Sequence, residues 1–453
     1  MGGLAGSNRR LSEQKSATYE PEILDLRARL GSMDPDLPRR ATALAEDALA
    51  VFRVVLVNGP RQAGKSTMLR LLHAEHGGST YTLDNREFLR AARVDPVGFV
   101  ADKDQPMFID EVQRGGDPLV LAIKAAVDRR SHDPGQFVLA GSSRFLTIPT
   151  LTESLAGRVR IIDLWPFSQG EIDGAPDGLV DALFGPTQAL RAVKSMYLSR
   201  AEVFSRVVRG GLPAAVALRT ARSRRDFFDS YVTTLAERDL VELRTPRRAV
   251  DVRRMLALVL ARTSQELVPT AIARDLSLSN DTVSDYLGLL ESIYVHHTLR
   301  PWSGNWSKRA VRRSKVHAVD TGVAAAVLGV DHSALASPGH PLAGPLLESF
   351  VVGELRRQLT WSDTLARAYH YREHEGREID LVLEAADGRV VAIEVKAAHD
   401  TGDRAIRHLS SLRDQLGDRF VNGVVVYLGE QVFPLGDRLT ALPVSAVWQA
   451  GAP

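Results

Sequence analysis

Short runs of uninterrupted apolar residues punctuate the first third of the chain: Val54-Val55-Leu56-Val57, Met107-Phe108-Ile109 and Phe137-Val138-Leu139-Ala140. A run of this length bounded by turn formers reads as a strand buried on both faces, as in a parallel sheet. Between the runs the apolar spacing turns helical, beginning with Met68-Leu69-Arg70-Leu71-Leu72. Strands alternating with helices predict an α/β fold with a doubly wound parallel sheet, assigned to residues 34–195. From Ala201 to about Arg262 the period is helical throughout. Two helices joined by a tight turn follow, Pro269 to Leu276 and Asn280 to Ser292, with Ser277-Leu278-Ser279 between them. That pattern predicts a helix-turn-helix of winged-helix type inside a region 196–335. In the last quarter the period falls to two. Ile379 to Leu383 and Val390 to Val395 flank the turn signal Ala386-Asp387-Gly388, which predicts a hairpin in an α/β unit over 336–453.

The first apolar run ends at Gly59-Pro60-Arg61-Gln62-Ala63-Gly64-Lys65-Ser66-Thr67, which fills G-x-x-x-x-G-K-[ST] at every fixed position. Strand, glycine loop and helix in that order form a phosphate cradle, with backbone N–H groups and a helix N-terminus facing the anion. The chain is therefore expected to bind a nucleoside triphosphate. Lys65 would reach its β- and γ-phosphates and Ser66 would hold Mg²⁺. The second run ends in Asp110-Glu111, a pair placed to order the Mg²⁺ (Asp110) and to polarise the attacking water (Glu111). The third run ends in Gly141-Ser142-Ser143, where either serine would sense the γ-phosphate or simply form the strand-end turn. Arg144 and Arg158 follow, and each reads as a finger toward a neighbouring subunit's nucleotide or as a structural salt bridge.

These motifs, with Ser154-Leu155-Ala156-Gly157-Arg158, Leu164-Trp165-Pro166-Phe167-Ser168, Arg209-Gly210-Gly211-Leu212-Pro213, Tyr231 ahead of Glu237-Arg238-Asp239, and the stretch from Arg300-Pro301-Trp302 to Lys308-Arg309, resemble the AAA+ ATPases that carry a C-terminal DUF4143 region. The resemblance runs from about Pro38 to Trp448. It implies an AAA+ core, ATP as the nucleotide, Arg158 as the finger, and a homo-oligomer, with a hexamer the usual number.

If the predicted hairpin pairs Glu384 with Val390, it also sets Asp380 opposite Glu394, with Lys396 on the same face. Two carboxylates so placed repel unless a cation offsets them. Upstream, Glu348 lies on the apolar face of a helix over about 345–359, an unusual place for an acid without a partner. Glu348, Asp380 and Glu394-x-Lys396 resemble the PD-(D/E)xK nuclease core, apart from Ile379 where many members place proline. That resemblance implies Mg²⁺ held by Glu348, Asp380 and Glu394, with Lys396 orienting the attacking water.

Composition narrows the partners. The 453 residues contain no cysteine, which excludes disulfides and thiolate metal sites and suits a cytoplasmic protein. No apolar stretch is long enough to span a bilayer, and residues 1–33 read as a disordered tail and lead-in. Net charge is only +2, but eleven arginines face six acids between Arg200 and Arg248, and six basic residues between Arg300 and Lys315 face none. Such clusters are candidate footprints for DNA, with RNA also open, or solvated and subunit-facing surfaces. The sequence thus supports two functions: an ATP-dependent protein that binds and cleaves DNA, or a nucleotide-switched binding regulator without cleavage.

Overall fold

In a computed structural model the chain is described over residues 37–101, 103–129, 133–142, 155, 157–236, 249–304, 313–373 and 376–451. The N-terminal tail, Ser143, Arg144, the Glu237-Arg238-Asp239 motif and most of the connection after Trp302 lie outside those residues.

The first five strands are β1 (Val54–Asn58), β2 (Ser79–Thr82), β3 (Met107–Asp110), β4 (Phe137–Gly141) and β5 (Val159–Asp163). They form a wholly parallel sheet in the order β2-β3-β4-β1-β5. Strand β4 therefore separates the glycine-loop strand β1 from the acidic strand β3. Alternation fills both faces: Val54 and Leu56 join one core with Ile109 and Leu139. Val55 and Val57 join the other with Phe108, Val138 and Ile162. Burial on both sides is what the continuous apolar runs require.

The remaining strands are β6 (Gln265–Glu266), β7 (His296–Pro301), β8 (Lys315–Ala318), β9 (Ala366–Arg372), β10 (Glu378–Ala385), β11 (Val390–Lys396), β12 (Phe420–Tyr427), β13 (Phe433–Gly436) and β14 (Leu439–Pro443). They make one nine-stranded sheet, ordered β13-β14-β12-β11-β10-β9-β7-β8-β6. The sheet runs straight through the sequence boundary at 335/336, because Arg300 and Pro301 of β7 pair in parallel with Tyr369 and His370 of β9. A single large core extends from Leu179 to Ala450, so residues 179–195 pack with the C-terminal half rather than with the parallel sheet.

Six helices position the sites: α1 (Lys65–His76), α2 (Ala221–Thr234), α3 (Ala249–Ala261), α4 (Pro269–Leu276), α5 (Asn280–Ser292) and α6 (Ala343–Trp361). The ranges of α4 and α5 coincide with those read from the sequence. Ser277 turns the chain between them at φ 56°, and Ser279 caps α5 by accepting from Thr282 N–H. Helices α3 to α5 are followed by the antiparallel strands β7 and β8, and β8 also pairs with β6. Among the described residues no helix is long and apolar enough to cross a membrane.

Candidate functional site

The glycine loop sits at the carboxyl end of β1. Gly64 takes φ 98°, a conformation that side chains oppose, and there α1 begins. Gly59 is required for a different reason: a Cβ there would lie 2.2 Å from the Leu164 carbonyl oxygen, at the point where β5 leaves the sheet. Pro60 and Ala63 are buried, while Arg61 and Gln62 rim the loop and Thr67 lies in the first turn of α1. The Lys65 ammonium is buried and donates to the carbonyls of Gly59 (3.0 Å) and Pro60 (2.8 Å). It therefore lies over the loop in which a phosphate would sit.

Ser66 Oγ donates to Asp110 Oδ2 at 2.6 Å, so the side chains expected to serve the metal, one from the first turn of α1 and one from the end of β3, already meet. Burial pushes the Asp110 carboxyl up from its ordinary value, a bias that the Ser66 hydrogen bond and the Lys65 charge oppose. A divalent cation would remove the bias altogether, so this pair fits Mg²⁺. Glu111 follows in the left-handed region at φ 53°. Ser142 donates to its Oε2 at 3.0 Å, and Gln113 Nε2 donates to the same oxygen. Glu111, Gln113 and Ser142 thus form one hydrogen-bonded unit between the ends of β3 and β4. Arg158 precedes β5 at the opposite, amino end of the sheet, where its carbonyl accepts from Val54 N–H, and it ion-pairs with Asp128 at 2.8 Å. It is remote from the loop of its own chain and 31% exposed.

Two further contacts reach the loop. Arg39 donates to the Ala63 carbonyl at 2.9 Å and to Glu171 at 3.2 Å, and its guanidinium covers the Phe167 ring at 4.2 Å. Tyr231 of α2 donates to the Arg61 carbonyl at 3.3 Å. Through Arg39 the loop reaches the 165–177 segment, which in turn is tied to α6. There Gln169 N–H donates to Glu354 (2.7 Å), and Arg357 donates to the Pro166 carbonyl (2.9 Å).

The second cluster lies in the nine-stranded sheet. Leu381↔Ile393 and Glu384↔Val390 are paired, the register that sets Asp380 opposite Glu394. Asp380 also accepts from Val395 N–H at 2.9 Å. Burial first, then the Asp380 charge, raises Glu394 well above its ordinary value. Lys396 stands 3.7 Å from Glu394 and is partly exposed. Glu348 of α6 joins the group, and it too is raised well above its ordinary value, by burial and then by Asp380.

A residue absent from the expected set occupies the middle. Lys315, the first residue of β8, places its ammonium 2.8 Å from Glu378, 3.0 Å from Glu348 and 3.3 Å from Asp380, with only 2% of its side chain exposed. Burial alone would lower its pKa, but Glu348, Asp380 and Glu378 together outweigh burial and hold the ammonium above its ordinary range. Asp380 is in consequence lowered despite its burial. A cation of the chain itself thus stands among the carboxyls that the sequence pattern assigns to Mg²⁺. Among the described residues no group of three or more His, Asp or Glu side chains is disposed to hold a metal ion.

The AAA domain model matches residues 51–173, a domain of unknown function (DUF8612) matches 200–334, and another (DUF4143) matches 343–447. The uncharacterized proteins Rv2008c of Mycobacterium tuberculosis and Mb2031c of Mycobacterium bovis are each 31% identical over 416 residues, covering 91% of this chain and 85% of theirs. Among solved structures, the Walker-type ATPase paby2304 of Pyrococcus abyssi overlays with TM-score 0.44 at 16% identity, over 66% of this chain and 99% of its own. The Thermotoga maritima RuvB Holliday junction branch migration motor overlays with TM-score 0.30 at 17% identity, over 59% and 91%.

Proposed function

The chain belongs to the family of these two mycobacterial proteins and is an ATPase of the AAA-like P-loop class, and from that premise we propose that ATP hydrolysis switches nucleic-acid binding by the C-terminal half. ATP bound with Mg²⁺ supplies the phosphoanhydride. Lys65 and the loop N–H groups would bind its phosphates and Ser66 and Asp110 would hold the metal, while Glu111 Oε2, oriented by Ser142 and Gln113, would take a proton from the water whose oxygen bonds the γ-phosphorus as the bond to the bridging oxygen breaks and ADP leaves. In a homo-oligomer, Arg158 would exchange Asp128 for a neighbour's γ-phosphate. The path from Ala63 through Arg39 and Glu171 to α6 supports a mechanical link between the loop and the nine-stranded sheet.

The observation that carries the switch reading, as against cleavage, is Lys315 among Glu348, Glu378 and Asp380. An internal ammonium supplies the charge that a catalytic metal would otherwise bring. The winged-helix reading of α3 to α5 with β6 to β8 supports DNA, with RNA as the other nucleic acid, although Asp281 and Asp285 on α5 face outward and oppose phosphate. A second reading, Mg²⁺-dependent cleavage of DNA, is favoured by the Asp380–Glu394 register and Lys396. One experiment separates the two. Purified wild type, Lys65→Ala and Asp380→Ala proteins are incubated with Mg²⁺, ATP and labelled single strands, duplexes and four-way junctions. Nucleic-acid-stimulated ATP hydrolysis without cleavage supports the switch. Cleavage lost in Asp380→Ala supports the nuclease, and no response of hydrolysis to any nucleic acid refutes both.

A further inference from the structure

A cavity of about 570 Å³ opens where the two sheets meet. Strand β5 is the outermost strand of the parallel sheet, and Arg160 and Asp163 on it form one wall. The second wall is a single face of the other sheet. Arg300 of β7 pairs with Tyr369 of β9, and Arg367 lies two residues before Tyr369, so Arg300 and Arg367 project from the same side. Arg356 of α6 closes the end, its guanidinium 5.0 Å from the centre of the Trp165 ring.

Four guanidinium groups thus line one cavity against the lone carboxylate of Asp163, which already accepts from Tyr294 Oη at 3.2 Å. Among the described residues, the side chains of Arg160, Arg300 and Arg367 have no hydrogen-bond or ion-pair partner. Three such arginines, converging on one concavity with excess positive charge, make a site for a multiply charged anion. Guanidinium forks match phosphate oxygens in pairs. The volume falls within the ~300–1,000 Å³ typical of ligand sites and exceeds what a single inorganic phosphate fills.

We propose that this cavity binds the sugar–phosphate backbone of a single-stranded nucleic acid, at least two consecutive phosphates at a time. The inference rests on the nucleic-acid reading above and assigns it a place: the seam between the ATPase sheet and the nine-stranded sheet. Arg356 sits on the helix that carries Glu348 and Glu354, so a strand bound here would touch the element tied to the glycine loop.

The test is fluorescence anisotropy of a labelled oligothymidylate of about 20 nucleotides, titrated with the full chain at several NaCl concentrations. Wild type is compared with Arg300→Glu/Arg367→Glu and with Arg274→Glu, an exposed arginine of α4 outside the cavity. The cavity variant should bind about tenfold or more weakly. The slope of its log affinity against log salt should be shallower by about 1.4, or about 0.7 for each phosphate the variant no longer neutralises. Its ATP hydrolysis without oligonucleotide should equal that of wild type, which shows that it is folded. Unchanged affinity and slope in the cavity variant would overturn the assignment while leaving the nucleic-acid reading standing. No binding by wild type at low salt would overturn both. An equal loss in Arg274→Glu would reassign the effect to general surface charge. Tripolyphosphate binding that needs Arg300 and Arg367, without any oligonucleotide binding, would reassign the cavity to a small polyphosphate.

Discussion

Replacing Lys315 by methionine keeps the buried aliphatic stem and deletes the ammonium that Glu378, Glu348 and Asp380 approach at 2.8, 3.0 and 3.3 Å. Removing one partner of a buried charged group typically costs about 3–5 kcal/mol, because the remaining charge stays uncompensated. For a unit of this size each kcal/mol shifts the melting temperature by about 2–4 °C, so Lys315→Met should melt roughly 10 °C lower. The vacated centre, lined by three carboxyls, should then accept a divalent cation. Mg²⁺ at one hundred times its dissociation constant would return about 2.7 kcal/mol. The assay is thermal denaturation of wild type and Lys315→Met at pH 7, with and without ~10 mM Mg²⁺ and in the absence of nucleotide. Mg²⁺ should restore much of the variant's loss and barely move wild type. A variant that melts with wild type and ignores Mg²⁺ would show that Lys315 neither holds the cluster together nor stands in for a metal.

The other expectations concern pH and subunit contacts. Burial, opposed mainly by a Ser168 hydrogen bond, raises Asp177 to about 7, far above its unfolded value near 4. A carboxyl raised in this way stabilises below the unfolded value and loses that contribution as pH rises through the folded one. Wild type should therefore lose stability relative to Asp177→Asn between pH 4 and 7, by on the order of 4 kcal/mol, readable as a pH-dependent difference in melting temperature. Arg158→Ala should leave ATP affinity intact and slow hydrolysis about 10³-fold if the residue serves a neighbouring subunit. In mixtures with Lys65→Ala, which keeps its arginine, some activity should return, and no recovery at any mixing ratio would confine Arg158 to its ion pair with Asp128.

What the sequence made legible follows physical lines. The glycine loop, the Asp110-Glu111 strand end and the limits of α4 and α5 are local: turn chemistry and periodicity specify them within a dozen residues. The Asp380–Glu394 register was readable because one hairpin turn sets it. Lys315 was hidden because it ends a basic run that resembles solvated surface, and only long-range pairing of β8 carries it inside. Arg39 was hidden for the same reason, since nothing near it in the chain announces a contact with Ala63. The pairing of β7 with a strand some seventy residues later, across the boundary at 335/336, was hidden because no local pattern encodes it.

The most direct test of the central claim is ATP turnover by Glu111→Gln, which keeps the size of the side chain and removes its basicity. The variant should bind ATP with Mg²⁺ as wild type does, measured with a fluorescent analogue, and hydrolyse it about 10²–10⁴-fold more slowly. Hydrolysis at the wild-type rate would contradict the assignment of Glu111 held by Ser142 and Gln113 as the base.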